Sequence, residues 1–188
     1  MSEYIRAFLA FDLDKEEIIN KIIQIQQLLA KTGIDAKFVD PENIHITIRF
    51  LGEIPVTMTP KIHEQMEKTQ FKPFTIKISG LGVFPNINYP RIIWVGISQG
   101  ADQLQHIFSQ LEPNLQKLGF SPDKKGFSPH LTIARIRSAA GKQQLLSFLQ
   151  KNIETDFGEI NAISLRLKRS QLTPQGPIYS TLKEYRPQ

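Results

Sequence analysis

The chain has no cysteine in its 188 residues, which closes disulfide frameworks, thiolate metal sites and cysteine nucleophiles. No apolar stretch approaches the length of a membrane span. The N-terminus also lacks the basic region and apolar run of a secretory leader, so a soluble, cytoplasmic protein is expected. No segment is biased enough to be low-complexity. A phosphate-cradling loop is missing, because Gly80-Leu81-Gly82 is not followed by Lys and Ser or Thr. Neither His-x-x-x-His nor a clustered Asp/Glu set occurs, so neither a metal nor a cofactor is expected.

What is present suffices for one generous domain: 40% of the residues are apolar, with a formal net charge of +5. The sequence pI of about 9.4 points to an anionic partner. Basic residues gather at Lys124 and Lys125, at Arg135 and Arg137, and at Arg166, Lys168 and Arg169. That distribution favours phosphate.

The second half of the chain echoes the first at an offset of 85 residues. Arg6-Ala-Phe-Leu-Ala-Phe matches Arg91-Ile-Ile-Trp-Val-Gly, an Arg before a short apolar run that reads as a buried strand. Helical periodicity follows each, through Ile18, Ile22, Ile25 and Leu29, and through Leu104, Phe108, Leu111, Leu115 and Leu118. Asp12 or Asp14 is available to cap the first helix, and Pro113 is expected to kink or shorten the second. Gly33 and Gly119 suit the left-handed residue beyond each helix end.

Each half then carries a matched triplet, His45-Ile46-Thr47 and His130-Leu131-Thr132, in an alternating apolar pattern. Further helices are expected over 61–68 and 142–151, with strands around 74–78, 163–167 and 178–182. The expectation is a single α+β domain over 1–188. It is bilobal, with two pseudo-twofold-related lobes, each an antiparallel sheet with flanking helices around a central cleft. The repeats run roughly 5–79 and 91–169, joined by 80–90. Strand exchange between the lobes is compatible with this order.

In a strand, residues i and i+2 share a face about 6.5–7 Å apart. His45 and Thr47 therefore stand together, as do His130 and Thr132. If the pseudo-twofold joins those faces, two imidazoles and two hydroxyls share a cleft. Such a set performs phosphodiester cleavage without a metal. One neutral imidazole takes a proton from the attacking oxygen, the other protonates the leaving oxygen, and the hydroxyls bond the phosphate oxygens. Arg49 alternates onto the face of His45 and is a further phosphate ligand by periodicity. Arg135 falls opposite to His130 in a regular strand, and a bulge would re-aim it. His63 and His106 lie in polar helical segments and read as surface residues. Most of the twelve Phe serve the core, with one or two available at the cleft to stack a base.

With both triplets in place, the sequence resembles the two-histidine phosphoesterase superfamily. Within it, it is similar to the RNA 2',3'-cyclic phosphodiesterases, historically called 2'-5' RNA ligases. The resemblance rests on Arg6 to Asp12, His45 to Glu53, Ser128 to Arg135 and Ser170 to Tyr179, and covers nearly the whole chain. It implies hydrolysis of RNA 2',3'-cyclic phosphate ends, tRNA fragments among them, to 2'-phosphates. His45 would be the proton donor to the leaving 3'-oxygen and His130 the proton acceptor from water. Thr47, Thr132 and Arg135 would hold the phosphate, with Arg49 where relatives often carry Lys. A monomer is expected. The alternatives are ATP-independent joining of RNA ends through a 2'-5' linkage and a non-catalytic RNA-end binding module.

Overall fold

Nine strands and four α-helices follow one another in a computed structural model that describes residues 3–188. They are β1 (Tyr4–Asp12), α1 (Glu16–Lys31), β2 (Ala36–Phe38), β3 (His45–Pro55), α2 (Thr59–Glu67), β4 (Phe74–Phe84) and β5 (Ile92–Gln99). After these come α3 (Ala101–Lys117), β6 (Leu131–Ile136), α4 (Lys142–Lys151), β7 (Asp156–Ala162), β8 (Leu165–Thr173) and β9 (Gly176–Tyr185). The α+β, bilobal expectation is met.

The periodic positions do what their spacing dictates. Ile18, Ile22, Ile25 and Leu29 of α1 are buried, as are Leu104, Phe108, Leu111 and Leu115 of α3. Gly33 and Gly119 take φ of 81° and 96° past the two helix ends, where a side chain would be strained. One local expectation, the cap of the first helix, fails, and of the two effects expected of Pro113, shortening does not occur. The residue before α1 is Lys15, with no side-chain cap, because Asp12 ends β1 with its carboxylate engaged by Lys168 and Arg166. Helix α3 runs through Pro113 to Lys117 without being shortened there.

All strands join one antiparallel sheet in the order β7-β4-β5-β6-β3-β1-β8-β9, with β2 paired to β6. The order is a palindrome of the repeat about the β6–β3 junction. Strand β4, from the first half, lies between β5 and β7 of the second lobe, and β8, from the second half, flanks β1 of the first. Each half thus lends its last strand to the other. This exchange buries Ile76 and Ile78 in one lobe and Leu165 and Leu167 in the other, so neither half keeps its own core intact if separated. Strand β4 also runs further than its 74–78 core, since Leu81 and Val83 are buried. The connection between halves is left to residues 85–91.

Candidate active site

Strands β3 and β6 meet in the ladder at the pair Ile46–Leu131, both fully buried. These are the central residues of the two triplets. Continuing that register sets His45 across from Thr132 and Thr47 across from His130, on the opposite face from the buried pair. The pseudo-twofold therefore runs through the middle of the site. The two imidazoles lie close enough for a charge on His130 to oppose one on His45.

Local backbone fixes each ring in the same way. His45 follows a 3-10 turn over Pro41–Asn43, and its Nδ1 donates to the Asn43 carbonyl at 2.7 Å. His130 follows Ser128 and Pro129, and its Nδ1 donates to the Ser128 carbonyl at 2.7 Å. In a neutral ring this pattern assigns the proton to Nδ1 and leaves the lone pair on Nε2. The Nε2 of His45 accepts a hydrogen bond from the Thr47 hydroxyl at 2.8 Å. Both rings present Nε2, the atom needed for proton transfer.

Burial lowers both imidazole pKa values. For His45 desolvation outweighs the Asn43 carbonyl and the Asp12 charge, which favour the cation, and the value falls to about 4. Lys168 and His130 push in the same direction as burial. His45 keeps an edge open to the cleft while its body is packed against Phe8 at 4.8 Å between ring centroids and Tyr179 at 5.3 Å. His130 is lowered by burial first, opposed by the Ser128 carbonyl, with Arg135 adding to the lowering. Phe84 meets its ring edge-on at 4.9 Å.

The arginines divide. In β6 an extra residue at Ile133 separates the pairs Trp94–Thr132 and Ile93–Ala134. That bulge buries Ile133 and Ala134 together and turns Arg135 out, within electrostatic reach of His130 and Tyr179. In β3 the pairs Ala10–Thr47 and Leu9–Arg49 show the same bulge at Ile48. Here the consequence overturns the alternation expected for Arg49. Its side chain is buried, with Nε and Nη2 on Glu112 at 2.7 and 3.3 Å and further bonds to the Phe50 and Ser121 carbonyls. Arg49 ties β3 to α3 and stands away from the His45 face, which Phe50 occupies instead, 6.1 Å from Phe8.

Three contributors were not assigned a role at the site from sequence. Asp12 sits beside His45 in the register, and although burial pushes its carboxyl up, hydrogen bonds from Lys168 and Arg166 hold it below the usual carboxylate range. Those two cations of the C-terminal basic cluster are therefore spent on Asp12. Asn43 is buried and holds two things at once, His45 through its carbonyl and the β8–β9 hairpin through a side-chain bond to the Pro177 carbonyl at 2.9 Å. Tyr179 on that hairpin packs against Phe8 and His45, and burial raises its hydroxyl pKa despite Arg135 and Arg6 nearby. Only the closing pattern around Tyr179 signalled this in the sequence. Among the described residues no group of three or more His, Asp and Glu could hold a metal ion.

Comparison with known proteins gives a consistent result. The family model described as LigT like Phosphoesterase matches twice, over residues 13–94 and 95–179, one His-x-Thr triplet in each stretch. A protein of Aeropyrum pernix named RNA 2',3'-cyclic phosphodiesterase is 40% identical over 167 residues, covering 89% of this chain and 95% of that protein. One of the same name from Methanocaldococcus jannaschii is 38% identical, covering 96% of this chain and 99% of that protein. Among solved structures, a Thermus thermophilus protein superposes with a TM-score of 0.80 at 26% identity over 97% of both chains. Escherichia coli LigT does so at 0.75 and 21%, over 99% of both chains. The repeated fold, the paired triplets and these matches lead to one conclusion: the chain belongs to the LigT-like phosphoesterase family.

Proposed function

We propose that this protein hydrolyses RNA ends bearing a 2',3'-cyclic phosphate to 2'-phosphomonoesters, without a metal, using His45 as proton donor and His130 as proton acceptor. The observation that carries the reading is the paired pinning of the rings. Each Nδ1 is fixed to a carbonyl two residues upstream, so both Nε2 atoms are offered to one shared cleft. The relatives named RNA 2',3'-cyclic phosphodiesterase support the substrate class.

The chemistry follows from those positions. His130 Nε2 takes a proton as water attacks phosphorus, and the bond from phosphorus to the 3'-oxygen breaks. The departing oxygen receives the proton from His45 Nε2, leaving the phosphate on the 2'-oxygen. Thr47, Thr132 and Arg135 bind the non-bridging oxygens, where negative charge sits in the transition state. Because burial holds His45 near 4 in the free protein, it is neutral at pH 7 and gains its proton with the substrate. The phosphate anion supplies the opposite charge that raises it.

The test is turnover, in the presence of a chelator, of an oligoribonucleotide ending in a 2',3'-cyclic phosphate, with 2'- and 3'-phosphate products separated by chromatography. A 2'-phosphate product that falls by about 10²-fold or more in His45→Ala and in His130→Ala is expected. Near wild-type rates in either variant would sink the mechanism. Binding without turnover in the wild type would favour an RNA-end binding module.

A further inference from the structure

We infer that Asp12 is the positioning residue of the proton donor: gripped by Lys168 and Arg166, its carboxylate is the counter-ion of the protonated His45 ring. The assignment rests on the phosphodiesterase reading above. The two rings are held alike, each through Nδ1 on a carbonyl two residues upstream, so these bonds do not distinguish donor from acceptor. What lies across the ladder does. Asp12 on β1 pairs directly with His45, on the same face of the sheet. Continuing the pair Val95–Leu131 by one residue sets Gly96 of β5 across from His130, in the position that Asp12 holds in the other lobe. A side chain at Gly96 would collide with the Ser79 carbonyl and crowd the Trp94 indole. As folded, only the first lobe has room for an acid beside its histidine.

Three hydrogen bonds fix that acid. Lys168 Nζ donates to both carboxylate oxygens at 2.8 and 2.9 Å, and Arg166 Nη1 donates to Oδ2. Both cations stand on β8, opposite Phe8 and Ala10, and Arg166 is held in turn by Glu184 of β9. Their grip keeps Asp12 ionised throughout the range in which an imidazole titrates, against the burial that pushes its carboxyl up. The charged groups that act on His45 are Asp12 from β1, Lys168 from β8 and His130 from the other lobe. Tyr179 of β9 packs on the ring as a neutral phenol, with Arg6 and Arg135 acting on its hydroxyl. Of the charges on His45, Asp12 alone favours the cation; Lys168 and His130 oppose it. The charge that acts on His130 is Arg135, which favours the neutral ring. An anion beside one imidazole and a cation beside the other break the symmetry of the pair as the reaction needs, donor in the first lobe and acceptor in the second. In the free protein burial still keeps His45 neutral. Once a bound phosphate adds its charge, Asp12 is the fixed anion that helps hold the proton on the ring until the 3'-oxygen leaves.

The experiment follows kcat against pH on the 2',3'-cyclic oligoribonucleotide, together with the NMR titration of the His45 ring in the complex with adenosine 2'-phosphate, its signal assigned through His45→Gln. The limb on which kcat falls as the pH rises reports loss of the donor's proton in the complex. Asp12→Asn keeps the shape and removes the charge, and should lower that limb by about one pH unit, a loss of about 10-fold along it. Lys168→Met removes the opposing cation from a largely buried position that accepts an apolar chain, and should raise the limb. Glu184→Gln removes a carboxylate that bonds Arg166 without acting on His45, and should move it by less than about 0.3 unit. The His45 titration should move with the limb in each variant. Limbs that stay in place, that move the same way in Asp12→Asn and Lys168→Met, or that move as far in Glu184→Gln would overturn the assignment. If Asp12→Asn does not fold, Lys168→Met decides alone, since an unmoved or lowered limb there contradicts an anion restrained by Lys168. Opposite shifts of the His45 titration in a protein that leaves the cyclic end intact would remove the hydrolysis reading and leave the positioning role standing.

Discussion

Acid stability gives a direct measure of the environment of His45. Its pKa is about 4 in the folded protein and about 6.5 in an unfolded chain. Above pH 6.5 the ring is neutral in both states and costs nothing. Between 6.5 and 4 the unfolded chain binds a proton that the folded protein refuses, so stability falls as the pH is lowered through this window. The slope approaches 1.36 kcal/mol per pH unit, which amounts to about 2 kcal/mol lost between pH 7.5 and pH 5. Contact of the ring edge with cleft water makes that figure an upper value. His45→Gln has no such group and keeps the dependence from the other groups, His130 among them, which is shifted in the same direction. Urea unfolding of both proteins at these two pH values isolates the difference. The wild type should lose about 2 kcal/mol more than the variant. Equal losses would refute the account of His45 as a ring held neutral by burial.

Arg49→Ala should cost about 1.5–3 kcal/mol in unfolding free energy, because it removes the charged hydrogen bonds to the half-buried carboxylate of Glu112 and leaves that group to the Asp123 amide and Gln116, whereas Arg135→Ala should leave the melting temperature in place and raise KM. Thermal melts paired with kinetics check both arms. Binding of an oligonucleotide 2'-phosphate at pH 7 should take up close to one proton as His45 becomes charged, read by calorimetry in buffers of different ionisation enthalpy. Gly82→Ala should displace the indole it faces, shifting the fluorescence of the chain's single tryptophan and lowering stability by about 1–3 kcal/mol.

Much of the site was legible because its information is local. A His-x-Thr triplet in a strand aligns its two polar side chains whatever surrounds it, and the 85-residue repeat shows that this happens twice. Even the arginine problem had a signal: the offset pairs Arg49 with Ala134 and Phe50 with Arg135, a correspondence that strand alternation alone obscured. The bulges at Ile48 and Ile133 that decide the matter are set by pairing with β1 and β5, and no local pattern records them.

Sequence by itself determined the repeat, the helices and their glycine stops, and the identity of the paired histidines and threonines, since periodicity and short-range geometry suffice for these. Tertiary structure alone decided the exchange of β4 and β8 between lobes, the burial of Arg49 on Glu112, the turning of Arg135 and Phe50 toward the site, and the shift of His45 to about 4. Each of these depends on what lies across a ladder or behind a ring, and such neighbours are distant in the chain. Desolvation and strand register are properties of the assembled sheet, which a residue acquires only once its partners have arrived.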